Sequence, residues 1–291
     1  LAQHAASQTE AEYVLFCGVH FMAESADILT GENVRVMLPN MAAGCSMADM
    51  ADADDVYEAW DIITEAVGGD TTIVPITYMN STAKLKAFVG EHGGIVCTSS
   101  NAAKTFEWAF ERGEKILFFP DQHLGRNTGW SMGIPLEEMV LWNFRKPNGG
   151  LTDEQIENAK VILWQGHCST HQRFSVEQIE KARRDYPGVN VIVHPETRWE
   201  VVQAADLNGS TERIIKAVSE APAGTLARNR MKAVWTSNAL KPGCSETGRK
   251  GKTDEIGSTR SDAHRTWMRG SSQACSRSTS MLATMTSIDD I

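Results

Sequence analysis

Along the first 224 positions, short apolar runs recur, and nearly every one stops abruptly in polar residues. The runs at 13–19, 34–39, 71–80, 94–97, 115–121, 161–171 and 189–196 have the length and composition of buried strands. Between them, helical spacing predicts the end of an amphipathic helix at 1–10 and helices over 20–29, 51–66, 83–89, 102–112, 175–186, 198–205 and 211–218. The organising stretch is 161–196. Its first run ends at Gly166-His167-Cys168, a helix opened by Ser175 and Gln178 stops at Pro187-Gly188, and its second run ends at His194-Pro195-Glu196. Such a strand-helix-strand unit predicts two parallel strands. In an open parallel sheet the ligand sits beyond the carboxyl ends, where Cys168, His171, His194 and Glu196 would gather.

The alternation of strands and helices predicts an α/β fold. About six strand exits end in polar residues, and three similar strand-helix-strand subdomains with parallel sheets would bring those exits to one central site. The expected divisions are an incomplete first subdomain at 1–66, a second at 67–150, a third at 151–224 and a divergent tail at 225–291. Residues 127–150 hold scattered Trp, Gly and Pro without clear period and read as a connection. Over most of 231–291 there is no convincing strand or amphipathic helix, and its Ser, Thr, Arg, Lys and Gly content predicts weak order.

Charge and composition narrow the function. A formal charge of -9 and a pI near 5.4 argue against a polyanion such as nucleic acid as partner. No apolar stretch approaches the roughly 20 residues needed to cross a bilayer, and residues 1–4 lack the features of a signal peptide. The start at Leu1 rather than Met predicts that an N-terminal piece precedes it.

The six cysteines, at 17, 45, 97, 168, 244 and 275, form no CxxC pair, which favours reduced thiols over a disulfide framework. Cys17 and Cys97 lie inside apolar runs and are expected in the core. Cys45 sits instead in a polar, glycine-bearing loop that would expose a thiol. Tyr78 and Asn80 at a strand exit are plausible ligand donors, although an Asn there is also an ordinary helix cap. The hydroxyls of Thr98, Ser99 and Ser100 precede one helix, and Gly209-Ser210-Thr211 another, so backbone amides at both places suit an anion. His123 is a candidate ligand, although a His at this position is more often a loop residue.

Taken together, Phe21-Met22-Ala23-Glu24, Gly44-Cys45-Ser46-Met47-Ala48-Asp49, Tyr78-Met79-Asn80-Ser81, Cys97-Thr98-Ser99-Ser100-Asn101, Pro120-Asp121 with Leu124-Gly125, Gly166-His167-Cys168 with His171, His194-Pro195-Glu196 and Gly209-Ser210-Thr211 resemble the quinolinate synthase family, in order and spacing, over residues 1–224. The resemblance implies three α/β subdomains around a 4Fe-4S cluster held by three cysteines, one iron being left open as a Lewis acid. It implies condensation of iminoaspartate (iminosuccinate) with dihydroxyacetone phosphate to quinolinate in NAD biosynthesis. A cytoplasmic location and a functional link to L-aspartate oxidase or aspartate dehydrogenase would follow. By motif, Cys45 and Cys168 match two cluster ligands. Tyr78, His194 and Glu196 match catalytic groups, Glu196 for proton transfer at carbon. Tyr78, Met79, Asn80, Ser99, His171, His194, Pro195, Glu196 and Thr211 match the substrate-binding set.

Two departures qualify the match. The family's opening strand, bearing a His and a Tyr, is not found here, and Ser280 and Leu282 stand where the family's third cysteine is expected. Cys244 and Cys275 lie outside that motif, so the third ligand stays open, and the change of composition after Gly224 suggests an altered reading frame in the tail. Competing readings are another 4Fe-4S hydro-lyase, a truncated non-catalytic chain that binds an anion, and an α/β protein whose His and Cys are only core or loop residues.

Overall fold

The structure, a computed structural model, describes residues 1–69 and 71–222, together with the backbone of two strands, Leu226–Arg230 and Ala233–Ser237. The expectations for the rest of the tail, including Cys244, Cys275, Ser280 and Leu282, fall outside the described residues.

Helix α1 (Ala2–Ala6), strand β1 (Tyr13–Leu15), helix α2 (His20–Leu29) and strand β2 (Arg35–Met37) build a two-stranded parallel sheet, with Tyr13 opposite Arg35. Phe16 packs against Ala5, Ala23 and Ala26, whose small side chains let the helices approach closely. Cys17, expected in this core, is exposed. Strand β1 ends at Leu15, Phe16 takes the inward position, and the next side chain along an extended chain points the other way. Helix α3 (Ala53–Val67) follows, capped by Asp52, whose carboxylate accepts from the Asp54 amide at 2.9 Å.

The next nine elements are β3 (Ile73–Tyr78), α4 (Ala83–Glu91), β4 (Ile95–Cys97), α5 (Ala102–Phe110), β5 (Lys115–Phe119), α6 (Gln122–Ser131), β6 (Met139–Trp142), α7 (Asp153–Asn158) and β7 (Val161–Trp164). Their strands form a parallel sheet in the order β4-β3-β5-β7-β6. Every residue of β3 and of β7 is buried, as expected of strands covered on both faces. Period-two alternation divides the core. Leu117, Phe119, Ile162 and Trp164 face α3, α4 and α7, whereas Ile116, Phe118, Val161 and Leu163 face α5 and α6. Because the chain moves outward from β3 to β4 and returns on the other side of β3, the strand order reverses beside β3. The carboxyl ends of β3, β5 and β7 open onto the resulting crevice.

Helix α8 (Val176–Asp185), β8 (Val189–Val193), α9 (Trp199–Ala204), β9 (Leu207–Asn208), α10 (Thr211–Ser219), β10 (Leu226–Arg230) and β11 (Ala233–Ser237) complete the described chain, their strands in the order β10-β11-β8-β9. Only the β8–β9 contact in this sheet is parallel.

Three expectations about elements are corrected. Strands β7 and β8 are not neighbours: β7 lies in the central sheet between β5 and β6, and β8 in the last sheet between β11 and β9. Short apolar runs buried on both faces carry no mark of their partner, which is chosen by packing far along the chain. The segment 127–150 is not a plain connection, because it holds the second half of α6 and the edge strand β6. Helix α6 hides its inward face behind glycine: a Cβ on Gly125 would meet Phe118 Cδ1 at 2.7 Å, and one on Gly129 would meet Met139 Sδ at 2.7 Å. Residues 233–237, where no strand was expected, form β11 by pairing antiparallel with β8, Val234 opposite Ile192.

Lys86 on α4 is buried at 7 % exposure, its ammonium donating to the Ser81 carbonyl and lying 5.6 Å from the Phe21 ring centroid. Burial pushes it down to about 8, against the pull of Glu24. Between about 8 and its ordinary 10.5 the folded chain therefore binds fewer protons than the unfolded chain, and the contribution of this group to stability rises with pH through that window. Urea melts of the parent and of Lys86→Met at pH 8 and pH 10 should show the difference moving toward the parent by about 1–3 kcal/mol. A difference that stays constant would contradict a depressed Lys86.

Candidate functional site

Glu196 follows β8, is 4 % exposed and has three partners delivered by separate parts of the chain. The Tyr78 hydroxyl, at the end of β3, donates to Glu196 Oε1 at 2.7 Å. His171, in the short 3-10 turn after β7, places Nδ1 2.8 Å from Glu196 Oε2, in an ion pair rather than an aligned hydrogen bond. His194 Nδ1 lies 3.6 Å from Oε1 and accepts from the Glu196 amide at 3.3 Å. That places the His194 proton on Nε2, which donates to Ser99 Oγ at 3.2 Å. The two imidazoles stack, their centroids 4.8 Å apart.

This arrangement sets the protonation states. Burial alone would raise the Glu196 carboxyl; His171, His194 and the Tyr78 hydroxyl outweigh it and bring Glu196 down to about 2. Burial likewise works against a charge on His171, yet Cys168 and Glu196 beside it raise it to about 9. At neutral pH the pair is thus carboxylate and imidazolium. Burial, and then Glu196, push Tyr78 well up, so it remains a hydroxyl donor. Cys168 is opposed by burial but held below its ordinary range by His171, which favours thiolate.

Cys45 and Cys168 sit on loops that touch, Ser46 Oγ and Ser169 Oγ being 3.4 Å apart. Both pack against the same core face, and Asn80 Nδ2 lies 4.0 Å from Cys45 Sγ. Ligand atoms of Cys168, His171 and Glu196 fall within 4.8 Å of one another. Two partly buried thiols on adjoining loops, one favoured as thiolate, fit a metal cofactor. Glu196 and His171 are already paired with each other, so the thiols are the better-suited donors. Cys97 is fully buried and burial pushes its thiol well up, as suits a core residue.

Other residues singled out from the sequence take different places. Met79 meets the Ser25 hydroxyl through its sulfur at 3.6 Å, and Pro195 is buried beside Glu196. Thr211 begins α10 and is exposed, while Ser210 caps that helix by accepting from the Arg213 amide at 3.3 Å. Asn101 turns its carbonyl back to the Thr98 amide at 2.7 Å, which leaves α5 without a side-chain cap.

From the sequence Asp121 was only a motif residue without a role, Asn127 was missed, and His123, read as more often a loop residue, is buried on α6. Asp121 is fully buried; Oδ1 accepts from the His123 and Leu124 amides at 2.8 Å, and burial together with Glu196 holds the carboxyl well above its usual range. An Asp directly after a buried strand and before a helix was the available signal. Asn127 Nδ2 donates to the carbonyls of Pro195 at 2.7 Å and Thr197 at 2.9 Å, so one amide braces both sides of Glu196. Asn127→Ala leaves both carbonyls without that donor and should lower stability by about 1–3 kcal/mol in urea melts. An unchanged midpoint would show that the brace is not needed.

The family model described as Quinolinate synthetase A protein matches residues 1–229. The chain is 62 % identical over 225 residues to the quinolinate synthase of Corynebacterium glutamicum, covering 77 % of this chain and 57 % of that protein. It is 59 % identical over 226 residues to the Streptomyces coelicolor quinolinate synthase, covering 77 % and 57 %. For the Geobacillus kaustophilus quinolinate synthase the figures are 57 % over 225 residues, 77 % and 60 %. The match therefore spans about three fifths of the length of these curated relatives. Among the described residues no helix is long and apolar enough to cross a membrane. With a family model covering most of its length and curated relatives at this identity, the chain belongs to the quinolinate synthetase A family.

Proposed function

We propose that the chain carries the site of a quinolinate synthase, which condenses iminoaspartate with dihydroxyacetone phosphate and releases phosphate and water. Cys45 and Cys168 supply two ligands of its 4Fe-4S cluster in this reading. The observation that carries it is the buried Glu196 carboxylate, held by Tyr78 and the two histidines within reach of the Cys168 thiol. Thiolates are the usual protein ligands of such clusters, and a bound cluster with an open iron supplies Lewis acidity at a departing hydroxyl.

The chain's own residues account for binding and proton transfer. Glu196, ionised at neutral pH, is suited to take a proton from the carbon next to the imine. His171, cationic at that pH, suits a carboxylate or phosphate, and the Tyr78 hydroxyl and His194 polarise carbonyl or hydroxyl oxygens. Met79, Asn80, Ser99, Pro195 and Thr211 complete the substrate-binding set. Burial of Glu196 and both histidines keeps water from competing for the proton. The same reading places the protein in the cytoplasm, with iminoaspartate supplied by L-aspartate oxidase or aspartate dehydrogenase.

The test is to incubate anaerobically reconstituted protein with oxaloacetate, ammonia and dihydroxyacetone phosphate, and to identify quinolinate by mass. Quinolinate from the parent, lost in Cys168→Ala, is the expected result. Its absence from protein that holds iron and sulfide would overturn the reading.

A further inference from the structure

The motif Phe21-Met22-Ala23-Glu24 takes no part in the Glu196 group, yet side chains of α2 meet the turn that leaves β3 and the helix that follows it. Glu24 Oε2 accepts from the Ala83 amide at 3.0 Å, where α4 begins, and Ser25 Oγ lies 3.6 Å from Met79 Sδ. Phe21 is buried, with its ring centroid 5.6 Å from the Lys86 ammonium. Lys86 itself donates to the Ser81 carbonyl rather than to a carboxylate, because Glu24, the acid that acts on it, is engaged with α4. A buried ammonium is costly unless its donors are used, and here the use is the turn at 79–82.

That turn presents two residues of the site, and they are fixed by different means. Tyr78 is held by the sheet: it stands opposite Cys97 in β4, and the next amide, that of Met79, donates to the Cys97 carbonyl at 2.8 Å. Asn80, whose side-chain amide lies 4.0 Å from Cys45 Sγ, comes after the last of these ladder bonds. The residue that fixes the chain there is Ser81, which is fully buried. Its amide donates to the Met79 carbonyl at 2.9 Å, its hydroxyl to the Tyr78 carbonyl at 2.9 Å, and its own carbonyl accepts from Lys86. Every polar group of Ser81 is therefore committed, and the Lys86 bond is the one that ties the turn to α4.

We propose that Lys86 is a positioning residue for substrate binding: through the Ser81 carbonyl its ammonium holds the turn that keeps the Asn80 side chain beside Cys45. The effect on turnover rests on the quinolinate synthase reading, whereas the placing of Asn80 is read without it. The first readout is the pair of side-chain amide resonances of Asn80, assigned through their loss in Asn80→Ala, in the full chain before reconstitution. They should shift in Lys86→Met and stay in place in Lys84→Met, since Lys84 lies on the same helix but is exposed and paired with Asp54 at 2.7 Å. Should Lys86→Met not fold, Lys86→Gln, with its shorter and uncharged arm, carries the same expectation. In the reconstituted enzyme Lys86→Met should raise the KM of one substrate about tenfold and change kcat less, whereas a mere loss of folded protein would lower apparent kcat and leave KM alone. Combined with Asn80→Ala it should cost little more than Asn80→Ala by itself, because both act through one side chain. An Asn80 signal that does not move in a folded Lys86 variant, or losses that multiply in the combined variant, would overturn the proposal. A parent that forms no quinolinate while Lys86→Met moves the Asn80 signal would sink the function proposed above and leave the positioning role standing.

Discussion

Glu196→Gln is expected to lower quinolinate formation by about 10²–10⁴-fold, the usual worth of a positioned acid-base group. The amide is close in size to the carboxylate and can still accept from the Tyr78 hydroxyl, so the packing of Tyr78, His171 and His194 has little reason to change. What disappears is the proton acceptor, along with the negative charge that helps to raise His171 to about 9. A thermal melt separates the two consequences, because a folded but inactive variant places the loss in chemistry. Tyr78→Phe keeps the carboxylate and removes one donor, and should cost less than Glu196→Gln. Turnover in Glu196→Gln within a few fold of the parent would remove Glu196 from the mechanism.

Trp164→Ala should destabilise the fold by about 3–5 kcal/mol, the range for removing a large buried aromatic side chain. Trp164 is fully buried at the end of β7, stacked on Phe144 with ring centroids 5.4 Å apart, and its indole N–H donates to the Met50 carbonyl at 2.7 Å. That bond ties the central sheet to the segment that follows Cys45. Trp164→Phe fills most of the volume but leaves the half-buried Met50 carbonyl without its donor, and should cost less, about 1–3 kcal/mol. Chemical denaturation of both variants tests the order. Equal losses would mean that the hydrogen bond, not the ring, carries the effect.

Much of the site was legible because polar residues closing an apolar run have few structural reasons to be there. Gly166-His167-Cys168 and His194-Pro195-Glu196 announced chemistry, and the structure brings His171, His194 and Glu196 into contact. The pairing of strands was not legible. A run such as Val161–Trp164 is apolar on both faces, so its pattern fits any buried position, and only the packing of α5, α6, α3 and α7 puts it in the central sheet. Helix α6 escaped notice because Gly125 and Gly129 stand where apolar side chains would have marked its inward face. Asn127 was hidden with it. Its role depends on carbonyls 68 and 70 positions away, a separation that no local pattern reports. Cys17 shows the opposite error, since an apolar run does not end where its strand ends.

The most direct test of the account is the iron and sulfide content of the anaerobically reconstituted chain, with its EPR spectrum after reduction, beside Cys45→Ala and Cys168→Ala. The account predicts about four irons per chain in the parent and loss of the cluster in both variants. Bound iron that survives both substitutions, or a parent that takes up none, would contradict the assignment of Cys45 and Cys168 as cluster ligands.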